Sequence, residues 1–498
     1  MSASDASIVA DAGSGGRERR GAPSAPVNWN PRAKSLTATA LLAADVLSLM
    51  IALALVLTVR RMIFGPVTPP HFTVWCSITV WFGVRWINSL YCPFGLYPPE
   101  KLKRSFVSSA AALIVHLSLL AGLTQFEPWR VFNIALWPLV LPFTYGLRGL
   151  ARAHLVSSGE YGTPVVIIGS GPPARRAIRE MLSHSDLGYV PVGVFSSQYL
   201  DASDRHFFGG VPVIGRAEDA IDYEFPYPVR TAMIVVGETW QDEQNQRFAE
   251  RLAGRYPVLQ IFSSFNAHGH WLSQARPLGP YLIIETSHHR FSMRQRVLKR
   301  MLDIAIGLPV FILALPFVAI AGLAIYLADP GPILFSQIRE GRDGKPIRIY
   351  KLRSMVVGAE AKLAAFLAAD PGARFEYERT MKLRNDPRII PRVGKFIRKS
   401  SLDEIPQLWS IVIGTMSLVG PRVMPSREVD LYSEAGRELR REVSPGLTGF
   451  WQVEHRSDSD FKIREIADSF YVSNWSVWLD LWIILRTVRV VLTGSGAF

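Results

Sequence analysis

The sequence predicts a membrane protein of the α plus α/β class. It combines four N-terminal transmembrane helices, a Rossmann-like parallel α/β middle domain and a mainly helical C-terminal domain entered by a re-entrant helix. Three observations predict this. Four apolar segments fall within the first 150 residues; from Thr163 the chain changes to short Val/Ile-rich runs alternating with helical stretches; and a fifth apolar segment, interrupted by Pro316, has basic clusters on both sides. Composition agrees. The 498 residues are 49% hydrophobic, with 13 Trp, 26 Phe and only 19% charged residues, which calls for a membrane contribution before any window is inspected. The net charge of +13 suits anionic lipid, nucleic acid or a phosphorylated substrate, and composition alone does not choose among them.

The first 35 residues are Ser, Ala, Gly, Pro and Arg without the apolar stretch of a cleavable signal, and a disordered tail is expected over 1–35. The apolar segments follow at Leu36–Val59, Phe72–Tyr91, Phe106–Leu123 and Val131–Leu147, within a 36–150 transmembrane region. Each is near the roughly 20 residues that cross a bilayer, although the last two are short and Pro138 and Pro142 interrupt the fourth. Arg17, Arg19, Arg20, Arg32, Lys34, Lys101, Lys103, Arg104, Arg148 and Arg152 flank one side, against Arg60, Arg61 and Arg130 on the other. The positive-inside rule then places the N-terminus and everything after residue 150 in the cytoplasm. Arg85 lies inside the second segment near its end, where snorkelling is expected over pairing within the bundle. Cys76 and Cys92 have neither metal-ligand spacing nor a disulfide framework.

A 160–287 domain begins with the strand-like Pro164-Val-Val-Ile-Ile-Gly169, a glycine turn and the helical Arg175-Arg-Ala-Ile-Arg-Glu-Met-Leu182. Further strands are expected at Tyr189–Phe195, Val211–Ile214, Thr231–Val236 and Val258–Phe262, the rhythm of a parallel sheet. Gly169, Gly171 and Ala174 match Gly-x-Gly-x-x-Ala, which in a Rossmann unit cradles a pyrophosphate on a helix N-terminus. The acid expected after the second strand is missing, because Val194-Phe195 runs into Ser196, Ser197 and Gln198. A structural or regulatory domain is therefore expected, without a bound dinucleotide.

The fifth apolar segment, Ile304–Leu327, has Arg290, Arg294, Arg296, Lys299 and Arg300 before it and Arg339, Arg342, Lys345, Arg348, Lys351 and Arg353 after it. A simple crossing would leave one cluster outside, against the charge rule; a helix over about 296–328, broken at Pro316 and returning to the same face, keeps both inside. The alternative is a kinked ordinary transmembrane helix. Beyond it, basic runs around Lys351, Arg384, Arg388 and Arg398 lead into Ser401-Leu-Asp403-Glu404. Ser401 and Glu404 have the spacing of a capping box, yet two adjacent carboxylates repel each other and are at home beside cations or a phosphate-bound metal. Repeated Lys/Arg clusters around such a pair, next to a bilayer, point to a phosphorylated, membrane-associated substrate.

The C-terminal region, expected as one domain over 293–498, closely resembles over about Arg296–Phe498 the bacterial sugar transferases, the monotopic polyprenol-phosphate phosphoglycosyl transferases. The motifs are Lys299-Arg300-x-x-Asp303, Gly331-Pro332-x-x-Phe335-x-Gln337-x-Arg339-x-Gly341, Lys351-x-Arg353-Ser-Met, Asn385-Asp386-Pro387-Arg388, Ser401-Leu-Asp403-Glu404-x-Pro406-Gln407, Met416-Ser-Leu-Val-Gly-Pro-Arg422 and Pro445-Gly446-Leu-Thr-Gly449-Phe-Trp-Gln452. The four N-terminal helices, Gly95-Leu-Tyr-Pro98 and the α/β domain resemble the large branch of that family, typified by undecaprenyl-phosphate galactose and glucose phosphotransferases.

The resemblance implies that hexose 1-phosphate passes from a UDP-hexose to undecaprenyl phosphate with release of UMP. This is the first membrane step of exopolysaccharide, capsule or O-antigen synthesis. It makes Asp403 the nucleophile that carries the phosphosugar and Glu404 its partner, which either helps bind Mg²⁺ or handles the incoming acceptor; Mg²⁺ is expected at Asp403 and Glu404. A carboxylate that forms an acyl phosphate splits transfer between two anions into two steps. Lys351, Arg353, Arg384, Asp386, Arg388, Arg398, Arg422 and Gln452 become the substrate and phosphate-binding candidates, and Lys299, Arg300, Asp303 and Pro316 belong to the re-entrant helix. Expected partners are the UDP-hexose (galactose or glucose), undecaprenyl phosphate and inner-membrane lipid, with a homodimer left open and no nucleic acid. The expected location is the bacterial inner membrane, with the middle and catalytic domains on its cytoplasmic face.

The chain departs from the family's usual Gly-Asp-Met-Ser at Thr415, from Pro-Arg-Pro at Val423, and from Ser-Gly-Arg after Gln452, where it has Val453-Glu454-His455-Arg456. None of these touches the Asp-Glu pair. Two other readings stand beside this one. A membrane-tethered NAD-dependent sugar-nucleotide dehydratase or epimerase would need a second extended Rossmann unit and a Tyr-x-x-x-Lys pair, and the last 200 residues contain neither. A non-enzymatic polysaccharide-assembly scaffold would tolerate loss of Asp403 or Glu404. The C-terminal helix around Trp478 and Trp482 fits either the bilayer interface or the domain core.

Overall fold

The structure, a computed structural model, describes residues 29–65, 72–122, 132–196, 207–236, 243–263, 272–278, 281–287, 291–380, 383, 386–454 and 461–493. The chain divides into two compact units, Met1–Ser264 and Phe265–Phe498. The protein is a membrane protein. Apolar helices long enough to cross a bilayer occur at Ala33–Phe64, Pro98–Ala121, Asn133–Ser157 and Met293–Ala328, with a shorter apolar helix at Phe72–Ile87.

In the first unit, α1 (Ala33–Phe64), α2 (Phe72–Ile87), α3 (Pro98–Ala121) and α4 (Leu136–Ser157) form the N-terminal bundle. Their apolar faces meet in a core of Leu49, Val56, Val74, Ile78, Trp81, Ala112, Trp137 and Val140. Pro138 lies in the first turn of α4, where no amide partner is lost, and the helix continues past Pro142. Arg85 does not snorkel. It is fully buried and clasps Asp45 through Nε at 2.8 Å and a second nitrogen at 3.0 Å. Arg148 reaches the same carboxylate at 2.8 Å. A partner on α1 reverses the snorkelling expectation, because a buried guanidinium paired with carboxylate avoids the cost of standing alone in a low-dielectric interior.

The same unit contains β1 (Thr163–Ile168), α5 (Gly171–Ser183), β2 (Tyr189–Ser196), β3 (Phe207–Phe208), β4 (Val211–Arg216), β5 (Thr231–Val236), α6 (Glu243–Arg255) and β6 (Val258–Ser263). The sheet order is β3-β4-β2-β1-β5-β6, and every pairing is parallel except β3 with β4. Both faces of β1 are buried. Val166 and Ile168 join one core and Val165 and Ile167 the other, as the two-residue period of a covered strand requires. Trp29 and Ala33, on the border of the expected tail, join the first of these cores, and the Trp29 ring packs tilted against Tyr227 with centroids 5.6 Å apart. Residues 1–28 lie outside the described residues. The Gly95-Leu-Tyr-Pro98 stretch has a structural account: the Gly95 amide donates to Leu187 at 2.7 Å and Lys101 to the Asp186 carbonyl at 2.7 Å, tying the bundle to the α/β sheet.

The second unit opens with an antiparallel hairpin of β7 (Leu272–Leu278) and β8 (Tyr281–Ser287). Next comes α7 (Met293–Ala328), capped reciprocally by Ser292 and Gln295. This helix is continuous for 36 residues through Pro309 and Pro316, and the expected break at Pro316 does not interrupt it. The hairpin of β9 (Leu334–Glu340) and β10 (Pro346–Leu352) follows, then α8 (Ala359–Ala369), α9 (Pro371–Thr380), α10 (Val393–Lys399) and α11 (Gln407–Ile413). The chain ends with β11 (Ser417–Val419), α12 (Ser426–Val429), α13 (Glu434–Arg441), β12 (Gly446–Thr448), α14 (Phe450–Glu454), α15 (Phe461–Ser473) and α16 (Val477–Thr493). On α16, Leu479, Trp482 and Ile483 are buried while Leu485 and Val488 are exposed, so one face of that helix is core.

Both ends of α7 are anchored within this unit. Near its start, Lys299 donates to Asp480 at 2.8 Å, to the Val419 carbonyl at 2.8 Å and to the Tyr471 hydroxyl at 3.0 Å. Arg300 caps the C-terminal carbonyls of α11, Ile411 at 2.5 Å and Val412 at 2.6 Å, where the helix dipole is negative. Asp303 accepts from the Ser417 hydroxyl and the Leu418 amide, both at 2.9 Å. Near its end, Ala321 and Ile325 pack with Leu352, Ile390 and Ile397. Between these anchors Leu313, Phe317 and Ile320 are exposed apolar side chains.

Candidate active site

Asp403 and Glu404 sit on a single 3₁₀ turn, Leu402–Glu404, between α10 and α11. Ser401 enters it at φ 56°, a left-handed conformation that a residue with a Cβ adopts only when its surroundings hold it there. Its side chain makes no cap, so the capping box expected of Ser401 and Glu404 does not form. The Glu404 carboxylate turns instead to two cations. Lys351, on β10, donates to it at 2.8 Å, and Arg422, just after β11, reaches the same oxygen at 3.3 Å.

Two short strands bring Arg422 there. β11 pairs in parallel with β12, and a backbone bridge joins Arg422 to Gly446. A Cβ on Gly446 would lie 2.1 Å from the Gly420 amide nitrogen, and one on Gly449 would lie 2.3 Å from the Gly420 carbonyl oxygen. Three backbone stretches are therefore packed too closely for side chains, which accounts for the glycines of two motifs far apart in sequence.

The two acids experience different environments. Burial pushes the Asp403 carboxyl above its ordinary pKa, and the adjacent Glu404 charge adds to that push, against Lys351 and Arg398, which pull it down. Burial acts the same way on Glu404, but the Arg422 and Lys351 charges outweigh it and hold that carboxyl below its ordinary value. Among the described residues Asp403 forms no ion pair with a side chain, whereas Glu404 forms two. The arrangement therefore ties one carboxylate to two cations and leaves the other without an ion pair among the described residues.

The remaining sequence candidates separate by location. Arg398 is exposed on α10, and its charge acts on both Asp403 and Asp386. Arg388 forks onto Asp386, with contacts of 2.8 and 2.6 Å to its two oxygens, so these two neutralise each other. Arg353 is buried and pairs with Asp329 at 2.8 Å just past the end of α7, so its charge is engaged by that carboxylate. Gln452 donates to the Leu447 carbonyl at 3.4 Å and makes no hydrogen bond to the Asp-Glu pair. Arg384 and His455 lie outside the described residues. Lys299, Arg300 and Asp303 hold β11 and α11, the elements on either side of the site. Thr415 caps the Ser410 carbonyl at 3.1 Å, and Val423 leaves the Arg422 contact in place.

Sequence reasoning quoted Gln337 and Arg339 but gave them no role. The hairpin register pairs Phe335 with Lys351, Gln337 with Ile349 and Arg339 with Ile347, which puts Gln337, Arg339 and Lys351 on one face. Arg339 donates to Gln337 at 2.7 Å. Burial lowers its pKa, and the nearby Arg422 charge adds to that effect against Glu428. The two-residue alternation of Phe335-x-Gln337-x-Arg339 was the available signal.

Among the described residues no three of His, Cys, Asp and Glu gather as a metal site. A pair of carboxylates still fits Mg²⁺, which is commonly held by one or two carboxylates together with waters and substrate phosphates. Glu404 and Asp403 are the donors present. In the α/β domain, a Cβ on Gly169 would lie 2.9 Å from Val235 Cβ, so packing requires that glycine. Pro172 and Pro173 open α5 and remove two of the amides a pyrophosphate would use.

Residues 294–494 match the family described as bacterial sugar transferase. The undecaprenyl-phosphate galactose phosphotransferase of Salmonella typhimurium is 32% identical over 86% of this chain and 88% of its own length. The UDP-galactose-lipid carrier transferase of Erwinia amylovora is 32% identical over 84% of this chain and 86% of its length. The UDP-glucose:undecaprenyl-phosphate glucose-1-phosphate transferase of Escherichia coli is 37% identical over 41% of this chain and 42% of its length.

Proposed function

The chain belongs to the bacterial sugar transferase family, and on that premise we propose that it transfers hexose 1-phosphate from a UDP-hexose to undecaprenyl phosphate. The observation that carries the mechanism is the unequal pair: Glu404 held by Lys351 and Arg422, Asp403 beside it without an ion pair among the described residues. An Asp403 oxygen forms a bond to the sugar-bearing phosphorus while that phosphorus loses its bond to the bridging oxygen. UMP departs with the electron pair. A phosphate oxygen of undecaprenyl phosphate then attacks the same phosphorus, the acyl-phosphate bond breaks, and Asp403 returns as carboxylate with the lipid diphosphosugar released.

Lys351 and Arg422 keep Glu404 ionised and present further N–H groups to phosphate oxygens; Arg398 stands on the Asp403 side. Mg²⁺, held through Glu404 with or without Asp403, would supply positive charge to the donor pyrophosphate. UDP-galactose is the first donor to test, because two of the relatives matching most of the chain carry galactose in their names, with UDP-glucose second.

The proposal extends to placement. α7 would span about 54 Å if straight, more than the roughly 30 Å of hydrocarbon in a bilayer, yet both its ends are anchored in one unit while its middle is apolar and exposed. That supports a path in which α7 enters and leaves on one face. The uneven basic flanks support the cytoplasmic face of the inner membrane. The divisions near residues 36, 160 and 293, the role in exopolysaccharide, capsule or O-antigen synthesis, and a homodimer are part of the same proposal.

The test is UMP release by the purified chain with Mg²⁺, undecaprenyl phosphate and each UDP-hexose in turn. Release with one of them supports the proposal. Release with none would overturn it and leave the scaffold reading; full turnover by Asp403→Asn would overturn the covalent role of Asp403.

A further inference from the structure

We propose that Arg440 and Asp468 are positioning residues that set the Arg422–Glu404 contact. The effect on turnover rests on the phosphotransfer reading above; the coupling itself rests on geometry. Arg440 is the penultimate residue of α13 and is buried, as is Asp468 on α15. One Arg440 nitrogen donates to Asp468 at 2.8 Å, and the Tyr432 hydroxyl donates to the same carboxylate oxygen at 3.1 Å. A second Arg440 nitrogen donates to the backbone carbonyl of Arg422. The route is therefore continuous from Tyr432 and Asp468, through Arg440, to the backbone whose side chain meets Glu404.

Arg422 needs such a hold. Its side chain is 42% exposed and touches Glu404 at 3.3 Å, so little beyond its backbone origin aims the guanidinium. The amide of Gly446 donates to the Pro421 carbonyl at 2.9 Å and fixes the residue before it. Arg440 fixes Arg422 itself. A buried guanidinium and carboxylate are costly to desolvate, and an apolar pair of similar volume would pack this interior at least as well. What an apolar pair could not do is donate to that carbonyl.

The experiment is a pair of double-mutant cycles on the full-length protein in detergent. In the first, the melting temperature is read for Glu404→Gln in the parent and in Arg440→Met. A positioning role predicts that the loss caused by Glu404→Gln shrinks to less than half in the Arg440→Met background. A merely structural role lowers the melting temperature of Arg440→Met but leaves the Glu404 loss unchanged, and that result overturns the proposal. If Arg440→Met does not fold, Asp468→Asn, which keeps the shape and loosens Arg440, carries the same cycle.

The second cycle reads UMP release. Arg440→Met is expected to slow it about tenfold in the parent and less than twofold once Arg422→Gln is present, since small misplacements near reacting groups cost rates of this order. Equal factors in both backgrounds would again overturn the coupling. The first cycle needs no activity, so an inactive parent defeats the phosphotransfer reading while the positioning claim is still decided by melting temperatures.

Discussion

Two charged clusters in the C-terminal unit are built from similar residues and have opposite properties. At the start of α7, Lys299, Asp480 and Tyr471 are all buried, and the Lys299 ammonium and both Asp480 oxygens have partners: besides the Lys299 contact, Asp480 accepts from Trp475 at 3.0 Å and from Tyr471 at 2.8 Å. Around Glu404, by contrast, Lys351 and Arg422 are partly exposed and Asp403 has no ion pair among the described residues. The first cluster is closed and therefore fixes geometry. The second is left incomplete, and on the proposed mechanism that opening is where Asp403 meets the phosphate.

The contrast is broken most severely at Asp403. Asp403→Asn is expected to lower UMP release by about a thousandfold or more, as for removal of a nucleophile. Its stability should move the other way. Because the folded-state pKa of Asp403 is raised, ionising it opposes folding, and this cost is present once pH exceeds the folded value. At neutral pH the Asn variant should therefore melt no lower than the parent; a clear drop would contradict the assigned environment.

At the closed cluster the expected outcome is reversed. Asp480→Ala leaves Lys299 buried without its carboxylate, and loss of one partner of a buried pair costs about 3–5 kcal/mol. Thermal unfolding checks this, with activity falling in proportion to folded protein. Glu404→Gln should be milder, about 1 kcal/mol for a partly exposed charged hydrogen bond. Its folded pKa is depressed, so Glu404 stabilises above its unfolded pKa, and that contribution disappears as pH falls through the folded value. The melting gap between parent and Glu404→Gln should accordingly be open at pH 7 and close in acid.

Arg398→Gln is the smallest change. Arg398 lowers the Asp403 pKa from an exposed position, so its removal should shift the acid limb of the pH profile for UMP release upward. A shift downward would place the charge elsewhere.

Much of this was readable from residue order. The parallel sheet followed from buried Val/Ile runs such as Val165–Ile168, and the acidic pair from Asp403 and Glu404 standing among basic clusters. What could not be read depended on distant partners. Arg85 looked like a snorkelling residue because its carboxylate, Asp45, lies on another helix and the pair shares no local pattern. Lys299 and Asp303 were assigned only to the membrane helix, although the groups they bind, at Ser417, Leu418 and Asp480, are far along the chain. Arg353 and Arg388 were grouped with the phosphate contacts because basic motifs do not reveal which carboxylate has already engaged them. The capping box fails for the same reason, because Lys351 and Arg422, both distant in sequence, engage the Glu404 carboxylate.

The central claim is that Asp403 carries the phosphosugar, and rapid-quench mass spectrometry of the protein with UDP-galactose and Mg²⁺, without lipid acceptor, tests it most directly. The account predicts one hexose phosphate added on the peptide containing Asp403, with an equal amount of UMP released and no adduct on Asp403→Asn. With a UDP-hexose shown to support turnover, UMP release that requires undecaprenyl phosphate and leaves no adduct would contradict it.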